Sequence, residues 1–274
     1  MKNTKIGFIG AGNMANSLIR GLIAKGTAAA DIWAADLDTA KLGLLADQCG
    51  IQTGDNSAVA AEADLIVLAV KPQVMKSVCL SLAADLKGRT PLLISIAAGI
   101  TTAQLEAWLG DSAAIVRCMP NTPALVGRGA SGLFANERVS AEQRQLAQEC
   151  ISAVGFASWV EKDTDIDIVT AVSGSGPAYF FLFMEAMQAS AIEMGLSEEL
   201  ARELTYHTAA GAAALAQHSD DDTATLRRNV TSPGGTTEKA IAQFEDGDLR
   251  GLVSRALRAA QARSVELAEE TDNT

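Results

Sequence analysis

What the chain has little of narrows its function first. Four cysteines and two histidines occur in 274 residues, and aromatic residues make up only 4%. Cys49, Cys79, Cys118 and Cys150 lie 30 to 39 positions apart, with no CxxC and no Cys/His cluster. That spacing excludes structural zinc and argues against a disulfide framework in a chain this long. His207 and His218 are 11 positions apart, not the three or four that set two ligands on one helical face, so no metal is expected. Long hydrophobic runs are missing too. Leu65–Val70, Leu92–Ile100 and Ala178–Met184 are the most apolar stretches, and each falls short of the roughly 18 residues a membrane span needs. Lys2 and Lys5 are followed by no signal-type apolar run before the first glycines. The expectation is a cytoplasmic chain without a membrane segment. Positive charge is also scarce: 22 Lys and Arg stand against 33 Asp and Glu, giving a net charge of −11 and a pI near 4.7. Such a chain repels phosphate backbones, which disfavours a nucleic-acid partner, while a single helix N-terminus still suits a small anion.

The residues that are present fall into two patterns. Up to about residue 160, short apolar runs alternate with helical stripes. Lys5–Gly10 reads as a buried strand, and Asn13–Lys25 places Met14, Leu18, Leu22, Ile19 and Ile23 on one stripe. Strands follow at Asp31–Ala35, Asp64–Val70, Leu92–Ala97, Ala113–Cys118, Gly132–Phe134 and Ala157–Val160. Helices separate them at Ala40–Cys49, Gln73–Asp85, Thr102–Leu109 and Ala141–Ala153. This alternation predicts an α/β fold with a doubly wound, mostly parallel sheet. Beyond residue 160 the strand signal stops. Thr164–Val172, Pro177–Met194, Ser197–Gln217, Thr223–Val230, Thr236–Phe244 and Leu249–Ala268 all read as helices, and the last residues from Glu269 as a polar tail. Domains of 1–160 and 161–274 are expected, the second all-α. Its Ala-rich face, Thr208–Ala216, suits either close packing on a second copy of the chain or a tight bundle within one copy.

The strongest local motif is Gly10-Ala11-Gly12-Asn13-Met14-Ala15, a GxGxxA between a strand and a helix. Its first glycine permits the tight turn, the second lets a pyrophosphate approach, and Ala15 lets helix and strand pack closely. Asp36 ends the second strand, where an acid accepts the ribose 2′-hydroxyl of NAD; equally, Asp36 and Asp38 suit the start of a helix. Leu37 offers no cation to the 2′-phosphate of NADP, and Lys41 is the nearest that could. Asn56 is expected in the loop before the third strand, as a turn cap or an adenosine contact. Val70-Lys71-Pro72, Ser95-Ile96-Ala97-Ala98-Gly99 and Arg117–Pro123 leave three strands at the carboxyl edge, which points to a shared cleft. Ser173–Pro177 and Thr231-Ser232-Pro233-Gly234-Gly235-Thr236-Thr237 are small, hydroxyl-rich junctions before helices. The second offers several N–H groups and hydroxyls, which suits a small carboxylate. No GxSxG and no Tyr-xxx-Lys pair is present; His207 and His218 read as packing or surface residues, and Tyr179 and Tyr206 as core or interface.

Together these segments resemble the pyrroline-5-carboxylate reductase family over nearly the whole chain. The carriers are IGFIGAGNMA, VKPQ, SIAAGI, MPNTPALVGRG, SGSGPAYF and above all NVTSPGGTTEKAI. The resemblance implies a Rossmann-type domain followed by an all-α dimerisation domain, with reduction of pyrroline-5-carboxylate to proline by NADP(H), or also NAD(H). It implies cofactor contacts at Gly10, Ala11, Gly12, Asn13, Met14, Ala15, Val70, Lys71, Pro72, Ala97, Ala98, Gly99 and Asn229, to which the position of Asp36 and Asn56 adds two candidates. Substrate would sit on Ser232, Gly234, Gly235, Thr236 and Thr237, with Thr237 catalytic, and the chain would form a homo-oligomer through its C-terminal helices. Many bacterial relatives carry Asn-Arg where Asp36-Leu37 stands, which weakens the expected NADPH preference. A β-hydroxyacid dehydrogenase would need a Lys on the helix after the Ser/Gly turn, and Tyr179–Met194 has none. A non-catalytic dinucleotide-binding regulator would leave Thr231–Thr237 without a purpose.

Overall fold

The computed structural model describes residues 4–272, so Lys2 and the end of the polar tail lie outside the described residues. Eight strands form one sheet: β1 (Ile6–Ile9), β2 (Ile32–Ala35), β3 (Gln52–Thr53), β4 (Leu65–Leu68), β5 (Leu92–Ser95), β6 (Ala114–Met119), β7 (Gly129–Ala135) and β8 (Gly155–Trp159). Their spatial order is β3-β2-β1-β4-β5-β6-β7-β8. The first six are mutually parallel, β7 runs antiparallel to β6, and β8 runs parallel to β7. The order 3-2-1-4-5-6 is the doubly wound dinucleotide-binding arrangement.

Period-two alternation sorts the strand residues onto two faces. Phe8, Leu65 and Val67 join Leu18, Ile19 and Leu22 of α1 (Asn13–Ala24), Leu42 and Leu45 of α2 (Thr39–Cys49), and Cys150 of α6 (Ala141–Ile151). Ile9, Ile66 and Leu68 join Val59 of α3 (Asn56–Glu62), Met75 and Leu82 of α4 (Pro72–Asp85), and Leu105 of α5 (Thr102–Leu109). Each such buried aliphatic side chain contributes about 1.5–3 kcal/mol relative to leaving it in water. The sequence pattern misses β3 and α3. Both are short, and Asn56, expected in a loop, instead opens α3, with Asp55 capping it by accepting from the Ala58 N–H at 2.8 Å.

Compactness divides the chain into two units that do not follow the end of the strand alternation. One comprises the chain up to Ser175 together with the chain from Ala259 onward; the other is Gly176–Arg258. The reason is visible in α7 (Asp165–Val169) and in the end of α12 (Leu249–Asp272), which are tied to the sheet unit through a buried cation. Arg117 of β6, 1% exposed, donates to Asp163 Oδ2 at 2.9 Å and to Asp167 Oδ1 at 2.8 Å, and the Ser264 hydroxyl donates to the same Asp167 oxygen at 2.8 Å. Among the described residues Arg117 Nε has no hydrogen-bond partner. Leu267 covers Gly99, and Gln104 donates to the Ala268 carbonyl at 2.8 Å.

The Ser/Gly junction is not the break that its composition predicts. Thr170–Gly174 forms a π-helical turn, closed by the Ser175 N–H to the Thr170 carbonyl at 2.8 Å, which carries the chain on into α8 (Gly176–Glu193). Thr170 and Ser173 turn their hydroxyls back onto the carbonyls of Ile166 and Val169, so their side-chain donors are met within the helix. Ala178–Met184 therefore belongs to an apolar helical run of 29 residues, Asp165–Glu193. Its length, unlike that of the apolar stretch alone, would cross a bilayer. α9 (Glu198–His218), α10 (Thr223–Asn229) and α11 (Thr236–Asp246) complete the second unit with the start of α12. Few of its side chains are buried, and Phe180, Phe181, Leu182 and Phe183 of α8 are all exposed.

Candidate cofactor and substrate sites

In the first unit the structure gathers the glycine-rich turn, Asp36 and Val70–Pro72 at the carboxyl edge of the sheet. Gly10 has φ +98°, and a Cβ there would meet the Ala69 carbonyl oxygen at 2.7 Å, so only glycine makes this turn beside the β4 end. A Cβ on Gly12 would meet nothing within 4 Å, which leaves that side open to a ligand. Gly12 is also the N-cap of α1 and supplies no side-chain cap, whereas α2, α3, α5 and α6 are capped by Asp38, Asp55, Thr101 and Ser140. The α1 N-terminus thus keeps its orphan N–H groups and positive dipole end for an anion. These residues fit the pyrophosphate of a dinucleotide. α4 starts similarly, with Lys71 as an uncapped N-cap and Pro72 at the first helical position.

Asp36 and Asp38, two alternatives in sequence, do different work. Asp38 caps α2 by accepting from the Lys41 N–H at 3.0 Å. Asp36 reaches back to the glycine turn, where Oδ2 accepts from the Ala11 N–H at 2.6 Å while Oδ1 accepts from the Asp38 N–H at 2.9 Å. Leu37 is fully exposed between them. Asn56 follows Gly54, whose N–H bonds the Ala34 carbonyl at 3.1 Å, so α3 begins beside the end of β2.

Two parts of the expected shared cleft also carry contacts within the fold. Gly99 has φ +68° and a Cβ there would stand 2.8 Å from Leu267 Cβ, so its small size admits α12. Arg117 is buried in ion pairs, and Asn121 spends its amide inside the fold: Nδ2 donates to the Ser173 carbonyl at 3.0 Å, and Oδ1 accepts from the Ala130 N–H at 2.8 Å. The sequence shows Arg117 only as one polar residue in an apolar strand. Its partners, Asp163 and Asp167, are 46 and 50 positions away.

The second unit carries Asn229 and the segment Ser232–Thr237. Asn229 ends α10, exposed, with its amide toward Asp221 at 3.4 Å. Gly235 is the N-cap of α11 and again provides no side-chain cap. Its own N–H is occupied, donating to the Ser232 carbonyl at 3.0 Å, and the Gly234 N–H donates to Glu238 Oε2 at 2.9 Å. An anion here is therefore left the N–H groups of Thr236 and Thr237, not that of Gly235. Among the described residues no hydrogen bond engages the hydroxyls of Ser232, Thr236 or Thr237. His207 is solvent-exposed near Glu203, and His218 bonds the Ala214 carbonyl. No metal-type cluster of His, Cys, Asp and Glu exists among the described residues.

Comparison with known proteins bears on both halves. Residues 163–267 match the family model for pyrroline-5-carboxylate reductase dimerisation, and residues 5–99 match that for NADP oxidoreductase, coenzyme F420-dependent. A pyrroline-5-carboxylate reductase of Pseudomonas aeruginosa is 54% identical over 271 residues, covering 98% of this chain and 99% of its own. The chain belongs to the pyrroline-5-carboxylate reductases. The reductase structure from Coxiella burnetii superposes with a TM-score of 0.94 at 46% identity, covering 97% of this chain and 99% of its own. That from Plasmodium falciparum, solved with NADP bound, gives 0.87 at 31% identity and covers 98% and 99%. The first unit of this reductase is accordingly a Rossmann-type dinucleotide-binding fold, and the region of the dimerisation model is all-α.

Proposed function

We infer that this chain reduces 1-pyrroline-5-carboxylate to L-proline at the expense of NADPH or NADH, the last step of proline biosynthesis. The observation that carries this reading is the 54% identity, over 98% of the chain, with the Pseudomonas aeruginosa reductase. The NADP held by the Plasmodium falciparum reductase supports the nicotinamide cofactor. Bound to the glycine turn, that cofactor supplies the hydride; the protein supplies orientation and electrostatics. The open start of α1, from Gly10 to Ala15, takes the pyrophosphate, and Asp36 and Asn56 lie toward the adenosine. Val70, Lys71 and Pro72, with Ala97, Ala98 and Gly99, border the nicotinamide half.

The substrate is a cyclic imine bearing a carboxylate. The N–H groups of Thr236 and Thr237 and the Ser232 hydroxyl receive the carboxylate, with Gly234 and Gly235 shaping the turn. As hydride reaches the imine carbon, the nitrogen needs a proton. The Thr237 hydroxyl hydrogen-bonds that nitrogen and relays the proton from water. No strong general acid is required, which agrees with the absence of His and Lys from Ser232–Thr237. The exposed apolar residues of α8 and the exposed Ala-rich face of α9 suit a homodimer, since a patch of this kind marks an interaction surface.

The deciding experiment follows cofactor absorbance with the purified protein. Steady oxidation of NADPH on adding pyrroline-5-carboxylate is expected. Oxidation that starts only with a hydroxyacid-type carbonyl substrate, or none at all, overturns the reading.

A further inference from the structure

Four hydrogen bonds shape the turn between α10 and α11. Thr231 donates its hydroxyl to the Arg227 carbonyl at 2.6 Å and its N–H to the Arg228 carbonyl at 3.0 Å, fixing the start of the turn to α10. The Gly235 N–H closes the turn on the Ser232 carbonyl at 3.0 Å. The fourth bond, from the Gly234 N–H to Glu238 Oε2 at 2.9 Å, ties the turn to the first coil of α11. Gly234 sits at φ +74° and neither Gly234 nor Pro233 brings a side chain that could brace the segment. A Pro-Gly-Gly run without such a brace samples many conformations, and a ligand that needs one of them must then order it on binding.

We propose that Glu238 is a positioning residue for substrate: its carboxylate holds Pro233-Gly234-Gly235 in the shape that leaves the Thr236 and Thr237 N–H groups free for the substrate carboxylate. This rests on the functional reading above. Glu238 also places a negative charge near an anionic ligand, a cost that the bracing outweighs. Charge and hydrogen bond are separable by substitution. Glu238→Gln keeps an oxygen within reach of the Gly234 N–H and removes the charge; Glu238→Asp keeps the charge and is one methylene too short.

The test is steady-state kinetics on the full chain, with thermal melts to verify folding. Glu238→Ala and Glu238→Asp should each raise KM for pyrroline-5-carboxylate about five- to tenfold, the equivalent of ordering one or two groups on binding. KM for NADPH should stay within about twofold of wild type. Glu238→Gln should bring KM for pyrroline-5-carboxylate back to the wild-type value or below it. The proposal is overturned if KM follows the charge, with Asp like wild type and Gln like Ala, or if Ala leaves KM unchanged or lowers it. A wild-type protein that does not turn over pyrroline-5-carboxylate would strike the functional reading instead, and so is a different failure.

Discussion

Replacing Asp36 by Asn should raise kcat/KM for NADPH relative to NADH. The carboxylate stands at the β2 end with one oxygen on the Ala11 N–H and the other on the Asp38 N–H. An amide oxygen in the same place retains one of these acceptors, so the glycine turn keeps most of its support while the negative charge goes. Taking a separation of about 6 Å from a 2′-phosphate charge and an effective dielectric of about 40–80, the repulsion removed is roughly 0.7–1.4 kcal/mol, or three- to tenfold. NADH carries no 2′-phosphate and gains none of this. Asp36→Ala is the harsher control. It leaves the N–H of Ala11, a residue 1% exposed, with no acceptor, which costs about 1–3 kcal/mol and should lower affinity for both cofactors alike. The assay is initial rate against cofactor concentration for both nucleotides at fixed, moderate salt. An NADPH-to-NADH ratio that does not change in Asp36→Asn would show that the two N–H groups neutralise the carboxylate and that it acts only on the turn.

Other substitutions probe separate parts of the molecule. Thr237→Ala should lower kcat about tenfold or more with little change in NADPH affinity, as expected for a lost transition-state hydrogen bond; wild-type turnover would remove Thr237 from the chemistry. Arg117→Leu leaves Asp163 and Asp167 without their cation, and breaking a buried pair from one side costs about 3–5 kcal/mol, so melting should fall by on the order of 10 °C; an unchanged melt refutes the network's role. Burial pushes the Cys79 and Cys150 thiols up to about 12, and burial, aided by Cys150, holds Cys118 above the ordinary thiol range. At pH 8 a thiol reagent should therefore label no more than Cys49 in the folded protein, and all four cysteines after denaturation. The folded state keeps these protons where the unfolded chain loses them, so stability should decline as pH rises above about 8.5; fast native labelling of two or more thiols contradicts this. The chain should sediment as a dimer or larger at micromolar concentration, and a stable monomer would count against the apolar face of α8 as an interface.

The parts legible in the sequence were those governed by local periodicity. KIGFIG, DLIVLAV and the stripe from Met14 to Ile23 announce their strand or helix within a few residues, because burial on both faces or one leaves a run or a stripe. Asp36 was legible as a position but not as a contact, since its partner, Ala11, is 25 positions upstream and is found only once β1 and β2 pair. Ser173–Pro177 misled because glycine and serine ordinarily stop a helix; Asn121, bonded to the Ser173 carbonyl, and Met119, packed on Gly174, hold this stretch in a π turn from outside it. Glu238 left a faint local signal, an acid at the third position of a helix. Its bond to Gly234 runs to a residue before the N-cap, so the usual capping pattern does not describe it.

The return of α12 to the sheet unit sets an order of events for a growing polypeptide. When the ribosome has released α7, every strand exists, yet Asp167 still lacks Ser264, Gly99 lacks its cover from Leu267, and Gln104 has no Ala268 carbonyl to reach. About a hundred further residues must be made before these places are filled, time in which the nascent nucleotide-binding half has an unfinished flank. A chaperone that shields this half should stay bound until the last helix emerges, and shortening the chain from its C-terminal end should harm the sheet unit, not only the helices that precede the cut.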